Sequence, residues 1–191
     1  MSENKVQFGL DKLHYAVITE NENGEVTFGT PVAIPGAVSM SMDAENGEST
    51  FYADNVKYYV SNNNNGYSGD IEVAKIPEAM WTDVFGATKG EDNVIVENSD
   101  AVIKDVALLF RFSGDKNKNC GVMYRCTLGR PSMSHATTEE SKEPQTSTIS
   151  YTAVPLGDGK VRATTTSETA ESIKAGWFGS VYMPTTPASA G

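Results

Sequence analysis

Apolar and polar residues alternate along this chain in short stretches, which is the period of half-buried antiparallel strands. In Val38-Ser39-Met40-Ser41-Met42-Asp43 the apolar side chains take one side and the polar ones the other. Asp70-Ile71-Glu72-Val73 and Thr148-Ile149-Ser150-Tyr151 repeat the pattern. Val122, Tyr124, Cys126 and Leu128 are expected on one face of a further strand, with Met123, Arg125 and Thr127 opposite. Between such stretches lie Asn23-Gly24, Asn46-Gly47, Gly114-Asp115 and Asp158-Gly159, residue pairs that reverse a chain readily. The run Asn62-Asn63-Asn64-Asn65-Gly66 reads as a longer polar loop that projects from the strands around it.

One segment departs from the two-residue period. Ile76, Met80 and Val84 recur every fourth residue, with Trp81 and Phe85 as a second row beside them. Pro77 suits the first turn of a helix and Gly86 its end, so one helix is predicted at about 77–85, packed on the sheet by Met80, Trp81, Val84 and Phe85. The fold class that follows is mainly β and antiparallel, with one helix packed on the sheet. The β-rich domain is placed at 1–160 and a C-terminal extension at 161–191. Trp177-Phe178-Gly179-Ser180-Val181-Tyr182-Met183 is too apolar to leave in water and is expected to dock on its own domain or on a neighbour. The end, from Pro184 to Gly191, has the composition of a disordered tail.

Charge narrows the function. Of 191 residues, 25 are acidic and 15 are Lys or Arg, a formal charge of −10, so tight binding to a phosphate backbone is disfavoured. DNA can still pass such a surface without sticking. The longest unbroken apolar run, Val106 to Phe110, is five residues, and Met1 to Val6 lacks an apolar signal core, so neither export nor a membrane helix is expected. Cys120 and Cys126 on one strand would sit about 20 Å apart, beyond disulfide reach, and read as reduced thiols.

The candidate chemistry is thin. Asp115-Lys116-Asn117-Lys118-Asn119 imitates the start of a calcium loop, but Cys120 stands where that loop needs Gly and Cys126 where it needs a bidentate Glu. His14 and His135 form no metal-ligand spacing. Ser68 lacks the second half of a nucleophile elbow, and Gly157-Asp158-Gly159-Lys160 lacks the strand and helix of a phosphate loop. Asp54, Asp70 and Glu72 read as solvated strand acids rather than an acid–base pair. No enzyme, metal or cofactor is predicted. Tyr52, Tyr58, Tyr59 and Tyr67 flank the Asn run and read equally as strand formers or, with Asn55, Asn63 and Asn64, as the candidates for contact between subunits, because Tyr joins a large contact area to a polar tip. A monomeric β-sandwich binding module, with the tyrosines lining a carbohydrate or surface-recognition site, is the alternative reading.

Several segments taken in order resemble the major tail proteins of long-tailed, non-contractile phages of Gram-positive bacteria. They are Phe8-Gly9-Leu10-Asp11-Lys12-Leu13-His14-Tyr15-Ala16, Ile34-Pro35-Gly36-Ala37-Val38, Phe51-Tyr52-Ala53-Asp54-Asn55, Gly66-Tyr67-Ser68-Gly69-Asp70-Ile71-Glu72, Ile76-Pro77 and Val106-Ala107-Leu108-Leu109-Phe110. The resemblance covers most of positions 8–155 and weakens beyond. It implies an antiparallel β-sandwich or half-barrel with one flanking helix, in a structural virion protein made in the host cytoplasm, whose hexameric rings stack into the tail tube. The partners it implies are copies of the chain itself with tape measure, tail terminator and distal tail proteins. DNA would cross the acidic bore during ejection without being specifically bound.

Overall fold

The computed structural model describes residues 9–53, 56–112, 114, 118–133 and 145–184, with only the backbone course described within 48–62. The elements in chain order are β1 (Leu10–Glu20), β2 (Val26–Phe28), β3 (Val32–Ala33), β4 (Ala37–Met40), β5 (Asp43–Ala53), β6 (Val56–Val73), α1 (Glu78–Asp83), β7 (Thr88–Lys89), β8 (Ile95–Val96), β9 (Val106–Phe112), β10 (Cys120–Leu128), β11 (Ser132–Met133), β12 (Ser147–Ala153), β13 (Arg162–Thr164) and α2 (Glu171–Gly176). The main sheet is antiparallel and open, in the order β2-β1-β9-β10-β12-β6-β4. β3 joins β1, β13 joins β10, β11 joins β12 and β5 joins β6, while β7 and β8 form a separate ribbon.

Register fixes which ends of the strands coincide. Leu10 lies opposite Phe112, and Arg111 opposite Cys120, so the start of β1 and the turn between β9 and β10 share one end of the sheet. Val17 opposite Val106, and Leu128 opposite Tyr151, mark the other end. Tyr67 pairs with Ala153, which pairs with Cys126, so the first half of β6 runs toward the Leu10 end.

Each face of the sheet buries its own apolar cluster. On the first face Leu13, Tyr15, Ile71, Val73, Val106, Leu108, Phe110, Ile149 and Tyr151 pack with α1. Pro77 caps the helix in an extended conformation and Gly86 leaves it at φ +70°. Six residues are too few for a helix to persist alone, so packing holds it. Met80, Val84 and Phe85 are buried, the Trp81 ring lies 5.3 Å from that of Phe85, and the Tyr15 hydroxyl donates to Asp83 Oδ2 at 3.1 Å. The second face, over β1, β9 and β10, buries Ala16, Ala107, Leu109, Cys120, Val122 and Tyr124 under the chain that follows β13. β9 is therefore covered on both sides, which is why Val106 to Phe110 is apolar without alternation.

Three details differ from the sequence expectations. Val122 and Tyr124 face the second cluster, whereas Cys126 and Leu128 face the first, because the β9–β10 register shifts between Met123 and Cys126 and a bulge turns the following residues over. The Asn run is not a loop: β6 continues through it, with Asn64 opposite Asn46 and Asn63 opposite Gly47, so the presumed turn Asn46-Gly47 is mid-strand as well. Ladder bonds to a long partner strand satisfy the backbone whatever the side chains prefer, and they outweigh turn propensity here. A second helix, α2, follows β13. Its six residues span too short a window for a hydrophobic period to register.

The chain after α2 forms a strap over the second face. Trp177 is buried, its Nε1 donates to the Gly121 carbonyl at 3.1 Å, and its indole stacks on Tyr182 at 5.3 Å. The Tyr124 hydroxyl donates to the Tyr182 carbonyl at 3.0 Å. The Phe178 ring lies 4.6 Å from that of His14, with the Lys12 ammonium 5.3 Å from its centre. The apolar stretch 177–183 thus docks on its own domain.

Candidate assembly surface

Two features remain outside the packed core, a hairpin arm and a polar sheet face. β6 pairs with β12 only from Tyr67 to Val73. Upstream, residues 56–64 pair with 46–53 of β5 and, among the described pairings, with nothing else. At about 3.3 Å per residue this two-stranded arm runs about 30 Å past the sheet pairing. A two-stranded ribbon with both borders open is marginal by itself in water and is a template for a further strand.

The arm leaves the sheet at Gly66, whose φ of +121° lies outside the range open to L-residues. A Cβ there would fall 1.9 Å from the Ala153 carbonyl oxygen, so backbone meets backbone at this point. The Gly66 N–H donates to Asn64 Oδ1 at 3.0 Å, which assigns one asparagine of the run to the arm's root.

Of the residues expected at subunit contacts, Asn55 lies outside the described residues, and Tyr52, Tyr58 and Tyr59 are placed by backbone alone within the arm. Phe51 is opposite Tyr59 in the register. Asn63 and Asn64 are exposed. Tyr67 is half-buried where the arm joins the sheet, with the Arg162 guanidinium 5.2 Å from its ring centre. The structure therefore strings the described positions along one hairpin, and at its root Asn64 and Tyr67 line a cavity of about 400 Å³ together with Tyr124, Lys160 and Arg162.

The sheet face opposite the first cluster is not apolar over β4, β6 and β12. Alternation from the buried Ile71, Val73, Ile149 and Tyr151 puts Ser68, Asp70, Glu72, Thr148, Ser150 and Thr152 on it, with Ser39 opposite Glu72 and Asp43 opposite Ser68. Hydroxyls hold the carboxylates in place. Ser39 Oγ and Thr146 Oγ1 donate to the two oxygens of Glu72 at 3.0 and 2.6 Å, and Ser68 Oγ donates to Glu45 at 2.5 Å. The Thr146 bond first, and then that of Ser39, hold the Glu72 carboxyl below its ordinary value. None of these face residues is a base. Sequence reasoning took Asp70 and Glu72 as separate solvated acids and missed Glu45, Ser39 and Thr146, which are distant in sequence and meet only through register.

The two cysteines and His14 are inert by their surroundings. Burial pushes the Cys126 thiol far up and that of Cys120 up, so neither is a thiolate near neutrality, and both are free. Burial, with the charge of Lys12 behind it, lowers His14, which is thus neutral. His135, Asp54 and the loop residues 115–117 lie outside the described residues. Among the described residues no group of three His, Cys, Asp or Glu side chains is placed to hold a metal ion, and no helix is long and apolar enough to cross a membrane. Asp158 and Lys160 pair across an ordinary turn.

The architecture is an open antiparallel sheet with a projecting hairpin. The family follows from the sequence comparison: residues 2–149 match the phage tail tube protein family, and the chain belongs to it. It is accordingly a structural component of the phage tail. No curated protein matches the chain. Among solved structures, a chain in the sixfold-symmetrised cryo-EM structure of the anti-feeding prophage baseplate is similar, at 10% identity and a TM-score of 0.47, covering 88% of this chain and 100% of that one.

Proposed function

We propose that copies of this chain join edge to edge into hexameric rings that stack as the tail tube, and that DNA crosses the bore during ejection. The observation that carries this reading is the arm, 46–53 with 56–64, whose two borders have no described partner within the chain. An exposed ribbon of that length invites pairing with another copy, and a closed ring of copies removes the open borders. If each subunit gave about four strands to the inner wall, about 24 strands spaced about 4.8 Å would enclose a circumference beyond 110 Å, enough for a duplex.

The face bearing Glu45, Asp70 and Glu72 is assigned to the bore. Carboxylates gathered on one face repel phosphates, and DNA then gains little counterion release by adhering. Only charges within about 8 to 10 Å of the passing duplex act at physiological salt, so this face must line the bore directly. The role is non-enzymatic. The protein is made in the host cytoplasm and meets tape measure, terminator and distal tail proteins at the tube's ends.

Negative-stain microscopy of the purified full chain tests the assembly. Rings or tubes are expected, and a uniform monomer at high concentration would overturn the reading. Asp70→Lys with Glu72→Lys is expected to slow DNA ejection from phage carrying it, and unchanged kinetics would remove the face from the bore.

A further inference from the structure

A cavity of about 410 Å³ opens at the Leu10 end of the second face, lined by Arg111, Lys118, Cys120, Ser167, Glu171 and Lys174. Three bases against one acid line it, in a chain whose net charge is −10. Asp11 answers Arg111 from outside through paired bonds, Nε to Oδ1 at 3.0 Å and Nη2 to Oδ2 at 2.5 Å. Lys174, its side chain only 8% exposed, lies 3.4 Å from Glu171. Lys118 is exposed and held at φ +47°. Ser167 and the α2 residues Glu171, Lys174 and Ala175 make the other side of the wall, beyond residue 149 and outside the stretch that matches the family.

The opposite end of the same side is acidic. β1 starts beside the cavity, with Asp11 and Lys12, and ends at Glu20, where it turns through residues 21–25 into β2. Asn21 Oδ1 accepts from the N–H groups of Asn23 and Glu25 at 3.0 and 2.9 Å, which shapes a tight turn with Glu22 and Glu25 exposed. Val26 and Phe28, just after it, pack into the same apolar cluster as Trp177, so turn and cavity lie on one side of the sheet at its two ends.

We infer that the cavity receives the Glu22–Glu25 turn of a second copy, so that successive rings stack head to tail by opposite charge. This rests on the tube reading above. Copies in one orientation present the acidic turn of one to the basic cavity of the next, a heterologous contact that does not close on itself and so extends without limit. A single exposed pair contributes little, but a hexameric ring makes the contact repeatedly at each junction, and the contributions act together.

The test uses the purified full chain, with tube length scored by negative stain and light scattering across protein concentration. Lys118→Glu alone and Glu22→Lys alone are each expected to raise the concentration needed for tubes about tenfold or more while rings persist. The double variant, which swaps the charges, is expected to return to within about threefold of the parent. Thermal melts of each variant verify folding, and Lys118→Gln, which removes charge without reversing it, is expected to fall between the parent and Lys118→Glu. Rings that stack as readily with either single reversal, or a double variant no better than the singles, would overturn the inference and leave the tube reading intact. Failure of the parent chain to form rings or tubes would overturn both.

Discussion

The root of the arm can be weighed with a single methyl group. Gly66→Ala adds a Cβ to a residue at φ +121° and places it 1.9 Å from the Ala153 carbonyl oxygen. Because the atom it meets is backbone in the β12 ladder, no side-chain rotation relieves the contact. Backbone strain of about 1 to 3 kcal/mol and overpacking of about 1 to 3 kcal/mol together predict a loss of about 2 to 6 kcal/mol. For a chain of this length each kcal/mol lowers the melting temperature by about 2 to 4 °C, so a drop of about 10 °C is expected by calorimetry or circular dichroism. Gly159→Ala is the matched control: its φ is +82°, but no atom lies within 4 Å of the added Cβ, so only conformational strain of about 1 to 2 kcal/mol remains. If Gly66→Ala melts no lower than Gly159→Ala, the close approach between arm root and β12 is wrong, and with it the direction in which the arm leaves the sheet.

Three further outcomes are expected. Trp177→Ala removes a buried indole and its bond to the Gly121 carbonyl, and denaturant titration should show a loss of about 3 to 5 kcal/mol; a loss under about 1 kcal/mol would mean that the strap is not docked. Burial, then Tyr182 and Asp158, pushes the Tyr124 hydroxyl up to about 12, so its contribution is fully present below pH 10 and is lost as pH rises from 10 through 12; Tyr124→Phe should flatten that part of the alkaline stability profile. Limited proteolysis should cut between residues 46 and 64 in free subunits and spare them in tubes, and equal cleavage in both states would refute the arm's role in assembly.

Much of the fold was legible because burial acts on alternate residues. Ile71 and Val73, or Ile149 and Tyr151, declare one buried face with no knowledge of their partners, and Met80, Val84 and Phe85 declare a helix by their spacing. Long-range pairing was not legible. The Asn run looks like a loop until β5 is laid beside it, and the β10 bulge, which sends Tyr124 and Cys126 to opposite faces, leaves no mark on the residues themselves. The acidic face shows the same limit in part: the alternation of β6 already puts Asp70 and Glu72 on one side, but Glu45 reaches Ser68, and Ser39 and Thr146 reach Glu72, only across strands.

The continuity of β6 also has a mechanical side. Force applied along the arm enters the same strand that forms the ladder with β12, where Tyr67 to Val73 face Ala153 to Ser147. Load along a strand shears all of those rungs at once, whereas load across it peels them one at a time. A pull along the arm would therefore load the subunit in its stiffest direction.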